Sequence, residues 1–113
     1  MSAKGPITTH VLDTSIGKPA IGIPVQLEMH DGAQWASLGK GATDTDGRLT
    51  LLPPGTKIKT GTYRITFDLQ GYFVGRKSFY PFATIAFTVD DSNQHYHVPL
   101  LLSGFGFSTY RGS

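Results

Sequence analysis

A chain of 113 residues can bury one core but is too short for two domains of ordinary size, so a single domain over residues 1–113 is expected. It has no cysteine, which excludes disulfides, a thiol nucleophile and thiolate-held metal, and its formal charge of +2 includes no basic cluster with stacking aromatics that would mark a nucleic-acid partner. No stretch approaches the ~18 apolar residues of a membrane helix and the opening residues hold no signal-like apolar run, so a soluble, intracellular protein is expected, with no membrane partner.

Period-2 patterning then gives strands in chain order. From Ile7 to Asp13, Ile7, Thr9 and Val11 share one face and Thr8, His10 and Leu12 the other, so both faces are partly apolar. Beyond a Gly17 and Pro19 turn, Ile23, Val25, Leu27 and Met29 point inward while Gln26, Glu28 and His30 point to solvent. Trp35 to Thr43 reads as a third strand ending in a tight Asp44, Asp46, Gly47 turn, and a short strand at Leu49 to Leu52 stops at Pro53 and Pro54. Thr62 to Asp68 turns Tyr63, Ile65 and Phe67 inward.

Leu69 to Lys77 is the one stretch that suits a short helix, against the weakening effect of Gly71 and Gly75. Thr84 to Val89 alternates again, with Ile85, Phe87 and Val89 inward, and Asp90 to Asn93 turns the chain into a strand from His95 to Leu102. There Tyr96, Val98, Leu100 and Leu102 make a core face, while His95, His97, Pro99 and Leu101 make an opposite face of neither solvent nor core character. Pro99 has no N–H to donate, so a bulge or a missing ladder bond is expected. A last strand runs from Phe105 to Tyr110. About eight short strands without a repeat imply an all-β, two-layer antiparallel sandwich. The unusual outer faces of the first and the last two strands suggest a second subunit over that sheet.

His10 and His97 stand on those outer faces, and imidazole is the side chain suited to moving protons near neutrality. His95 points the same way as His97, so His10, His95 and His97 also have the composition of a three-histidine metal site. Asp44, Asp46 and Gly47 copy the start of a calcium loop without its later glutamate, which favours a plain turn. Arg48 follows that turn, where a guanidinium fork can hold an anion or a polarised carbonyl. Tyr110, Arg111, Gly112 and Ser113 close the chain with a phenol, a second guanidinium, a hydroxyl and a terminal carboxylate. A G-x-S-x-G elbow and a phosphate-cradling loop are both absent from the sequence.

Three segments, THVLDTSIGKPA, TDTDGR and HYHVPLLLSGFGFSTYRGS, together resemble the 5-hydroxyisourate hydrolases, transthyretin-related enzymes of urate breakdown. The resemblance spans nearly the whole chain, and its last segment is the most specific. It implies a transthyretin-like (prealbumin-like) sandwich of two four-stranded sheets with one short helix after the fifth strand, assembled as a homotetramer, a dimer of dimers. It implies catalytic roles for His10, Arg48 and His97 and a substrate-binding tail of Tyr110, Arg111, Gly112 and Ser113. These would lie in a channel where outer faces of two subunits meet.

The implied reaction is hydrolysis of the lactam C–N bond of 5-hydroxyisourate to 2-oxo-4-hydroxy-4-carboxy-5-ureidoimidazoline, with no metal and no organic cofactor. Which histidine is the base, and whether Arg111 touches substrate or pins the tail, stay open. The C-terminus is not a peroxisomal address, which favours the cytoplasm. The competing readings are a non-catalytic carrier of small aromatic ligands, a structural sandwich module and a zinc hydrolase.

Overall fold

The computed structural model of the protein describes residues 5–113. Nine strands follow in order: β1 (Ile7–Asp13), β2 (Lys18–Pro19), β3 (Pro24–His30), β4 (Trp35–Ala42), β5 (Arg48–Thr50), β6 (Gly61–Asp68), β7 (Phe82–Val89), β8 (Tyr96–Ser103) and β9 (Gly106–Thr109). One sheet runs β4, β3, β6, β7; the other runs β2, β1, β8, β9, with β5 also paired to β1. Strands β5 and β2 divide one edge of β1, the first along Thr8 to His10 and the second at Leu12 and Asp13.

Alternation supplies the inner faces. Ile7, Val11, Tyr96, Val98, Leu100 and Leu102 of one sheet and Val25, Leu27, Tyr63, Ile65 and Phe67 of the other are all buried. Removing each such side chain from water contributes about 1.5–3 kcal/mol, so a one-residue slip of β1 or β8 would cost far more than any local preference could offset. Thr9 shares this inner face, and its hydroxyl is satisfied by donating to the Val98 carbonyl at 2.6 Å. The faces assigned from the sequence are therefore the observed ones, and Thr8, His10, His97, Pro99 and Leu101 are left on the outer face of the first sheet.

Several details differ from the expectation. Strand β2 raises the first sheet to five strands, and β1 pairs with β8 in parallel, so the sandwich is not wholly antiparallel. No helix forms among the described residues. At 69–77 there is a single i to i+4 bond, from the Phe73 N–H to the Leu69 carbonyl at 3.2 Å, before the chain reverses with Gly75 at φ +82°. A bulge does occur, but in β3 against β4, between Leu27 and Glu28, rather than at Pro99.

The β1–β8 ladder passes Pro99 in unbroken register. The Pro99 carbonyl faces β9, accepting from Thr109 Oγ1 at 2.6 Å, so its missing N–H falls where the β9 ladder lapses between Thr109 and an isolated bridge at Gly112. Among the described residues no helix is long and apolar enough to cross a membrane.

Candidate active site

Strand β1 lies between β5 and β8, and register alone gathers the chemistry. Thr8 faces Thr50 on one side and His97 on the other; His10 faces Arg48 and Pro99. Residues paired across strands share a face, so two imidazoles, a guanidinium and two hydroxyls stand together outside the core. A cavity of about 120 Å³ opens there, lined by Thr8, Asp44, Arg48, Thr50 and His97 among others. His10, paired with Arg48 across β1 and β5, is not among the residues that line it.

The turn before β5 fixes the guanidinium end. Gly47 has φ +75°, and a Cβ there would lie 2.4 Å from the Val11 carbonyl oxygen, so only glycine fits this approach. The Asp44 carboxylate accepts from the backbone N–H groups of Arg48 and Asp46, each at 2.9 Å. The Arg48 N–H is the largest influence holding the Asp44 carboxyl below its ordinary 3.8, and the nearby charges of Arg48 and His10 act the same way. An anion therefore sits beside the Arg48 cation at the cavity wall. The motif works as an Asx-type turn.

The histidine end is a chain of hydrogen bonds. Thr8 Oγ1 lies 2.8 Å from His97 Nδ1 and 3.2 Å from His95 Nε2, and the Gly5 carbonyl accepts from His95 Nδ1 at 2.7 Å. The two rings stack at 15° with centroids 6.3 Å apart. Both nitrogens of His95 are thus engaged within the protein. The three-histidine metal reading fails on this geometry, and among the described residues no three histidine or carboxylate groups come together as a metal-ligand set.

The tail returns along β8. The Gly112 N–H donates to the His97 carbonyl at 2.8 Å, which continues the β8–β9 register and places Tyr110 and Gly112 on the outer face. A Cβ on Gly112 would lie 2.6 Å from His97 Cδ2, so the tail rests directly on the catalytic candidate. Arg111 has the opposite parity. Its guanidinium stacks 4.4 Å from the Tyr96 ring centroid and donates to Gln94 Oε1 at 2.8 Å and the His95 carbonyl at 3.3 Å, so it pins the tail and does not join the cavity.

Tyr110 is 57% exposed beside the face, and Ser113 is also exposed. Sequence reasoning passed over Thr8 as a site residue and took Asp44 for a plain turn residue. Thr8 shares His10's parity, which was a usable signal; Asp44 is recognisable as a turn residue, and its place in the cavity depends on β5 docking against β1.

A family described as Transthyretin, HIUase/Transthyretin family, matches residues 7–112. The 5-hydroxyisourate hydrolase of Salmonella typhimurium (strain LT2) is 44% identical over 109 residues, covering 95% of this chain and 80% of that one. The mouse 5-hydroxyisourate hydrolase is 44% identical over 112 residues, covering 96% and 95%.

Among solved structures, Klebsiella pneumoniae 5-hydroxyisourate hydrolase superposes with TM-score 0.81 at 35% identity, over 95% of this chain and 98% of that one. Sparus aurata transthyretin gives TM-score 0.87 at 26% identity, over 96% and 97%. An (S)-allantoin synthase gives TM-score 0.87 at 37% identity over 99% of this chain, which spans only 45% of that longer protein.

Proposed function

The chain belongs to the HIUase/Transthyretin family, and from that premise we propose that residues 1–113 act as one 5-hydroxyisourate hydrolase domain of urate breakdown. The observation that carries this reading is the gathering of His10, Arg48 and His97 on one outer face, in a chain 44% identical to hydrolases of that name. The reaction adds water across the lactam C–N bond of 5-hydroxyisourate and gives 2-oxo-4-hydroxy-4-carboxy-5-ureidoimidazoline.

In the proposed mechanism an imidazole of the His10 and His97 pair takes a proton from water as the new C–O bond forms. General-base help of this kind contributes roughly 10²- to 10⁴-fold. Arg48, braced by Asp44, offsets the charge gathering on the carbonyl oxygen. As the C–N bond breaks, the imidazolium returns its proton to the departing ring nitrogen. Tyr110, Gly112 and Ser113 do not line the cavity within the single chain, and their proposed role is to bound the substrate from the tail side of His97. Side chains and water suffice for every step, so the proposal calls on no metal or organic cofactor.

The cavity is open on its outer side, and closing it would exclude water and strengthen each of these interactions. This supports a homotetramer in which facing sheets cover each other's sites; sedimentation at assay concentration tests it, and a monomer with full activity would contradict it. A cytoplasmic location belongs to the same proposal.

The direct test is ultraviolet monitoring of 5-hydroxyisourate generated in place from urate by urate oxidase. Faster decay with the protein present supports the hydrolase. Binding without faster decay would favour a carrier, the reading that the likeness to transthyretin keeps in view.

A further inference from the structure

The Gly5 carbonyl can only accept a hydrogen bond, so His95 carries its proton on Nδ1, 2.7 Å away. A neutral His95 then presents Nε2 as an acceptor, and the partner 3.2 Å from it is the Thr8 hydroxyl, which must donate. Having donated its one proton, Thr8 Oγ1 can only accept along its other contact, the 2.8 Å separation from His97 Nδ1. That places the His97 proton on Nδ1 and makes Nε2 the nitrogen able to take a proton.

The opposite sense would require His95 to be protonated on both nitrogens. Thr8 is well suited to the task, being 5% exposed and fixed by ladders on both sides, opposite His97 and Thr50.

We infer that Thr8 and His95 are positioning residues for the hydrolysis, acting through His97: the Gly5, His95, Thr8, His97 chain selects the His97 tautomer whose Nε2 is the general base. This rests on the hydrolase reading for its catalytic consequence and on the hydrogen-bond directions alone for the tautomer. An imidazole in the wrong tautomer keeps its place but loses its function, with losses that reach about 10⁴-fold where a base is held by one orienting partner. Water and the neighbouring backbone can partly replace a hydroxyl, so a smaller loss is expected here.

The test uses the full chain and two independent readouts. Long-range ¹H–¹⁵N correlation spectra of the histidine rings report which nitrogen is protonated. Wild type is expected to show His97 as the Nδ1–H tautomer. Thr8→Val keeps the shape and removes the hydroxyl; it is expected to move His97 toward the Nε2–H form and to lower kcat roughly 10- to 100-fold with KM little changed. Thr8→Ser is expected to restore both. Should Thr8→Val fail to fold, His95→Phe removes the far end of the chain and is expected to shift the spectrum in the same direction.

A wild-type His97 carrying its proton on Nε2, or a Thr8→Val spectrum identical to wild type, would overturn the inference. If the protein leaves 5-hydroxyisourate untouched while the spectra respond as described, the substrate assignment fails and the tautomer chain stands.

Discussion

Replacing Gly112 by alanine adds one methyl group against the ring that the proposed mechanism depends on. The new Cβ would sit 2.6 Å from His97 Cδ2 and 3.1 Å from Pro99 Cγ, whereas carbon atoms in contact keep about 3.5–4.0 Å. Either His97 moves by about 1 Å, stretching its 2.8 Å contact with Thr8, or the tail lifts and breaks the Gly112 bond to the His97 carbonyl. A displacement of this size at a reacting group costs on the order of 10²-fold in rate.

The stability cost should stay at or below the roughly 1–3 kcal/mol of an overpacked core, because the tail lies at the surface and can yield. The assay is the ultraviolet decay of freshly generated 5-hydroxyisourate, with thermal melting alongside. The expected outcome is a folded protein with a small change in Tm and a kcat reduced about 100-fold. Wild-type kcat in a folded Gly112→Ala protein would refute the claim that the tail sets the His97 position.

Arg48→Ala is expected to lower kcat roughly 10²- to 10³-fold while leaving the fold intact, and Arg48→Lys to recover only part, since a point charge replaces a planar fork; steady-state kinetics on the same substrate check both. Asp13→Asn should destabilise by about 1–3 kcal/mol at neutral pH, because the carboxylate is fully buried and accepts from Tyr72 at 2.6 Å and Arg76 at 3.1 Å. Burial raises the Asp13 carboxyl, but the hydrogen bonds from Ser15, Tyr72 and Arg76 outweigh it and hold the group below its ordinary 3.8. Its contribution is therefore complete above that value and lost as pH falls through the lower folded value. Denaturation curves taken toward acid should show the advantage of wild type over Asp13→Asn shrinking; an advantage that grows on acidification would contradict the assignment.

Alternation made the faces legible. Ile7, Thr9 and Val11 against Thr8, His10 and Leu12, and Tyr96 to Leu102 against His97 to Leu101, are two-state choices that burial fixes, and both were readable from residue types. The parity of Arg111 was readable too, and the structure turns it toward Tyr96 accordingly. What alternation does not carry is pairing between distant strands. Thr8 meets His97 across 89 positions, in a parallel ladder that no local pattern announces.

Strand β2 is only Lys18 and Pro19, held because the Ala20 N–H donates to the Val11 carbonyl, a bond invisible before β1 is placed. The helix expected at 69–77 shrinks to a turn. Leu69 and Phe73 gain their burial from the sandwich, and two glycines remove the local support a short helix needs. The last segment of the chain named the site because its residues reach one face through register, and its Gly112 is explained only once the His97 ring lies beneath it.

The central claim is that a His97 imidazole removes the proton from water in the ring opening. Turnover of 5-hydroxyisourate by His97→Ala, measured beside wild type and His30→Ala at equal folded concentration, tests it most directly. A folded His97→Ala protein should lose roughly 10²- to 10⁴-fold in kcat, with His30→Ala close to wild type; wild-type turnover without the His97 imidazole would contradict the mechanism.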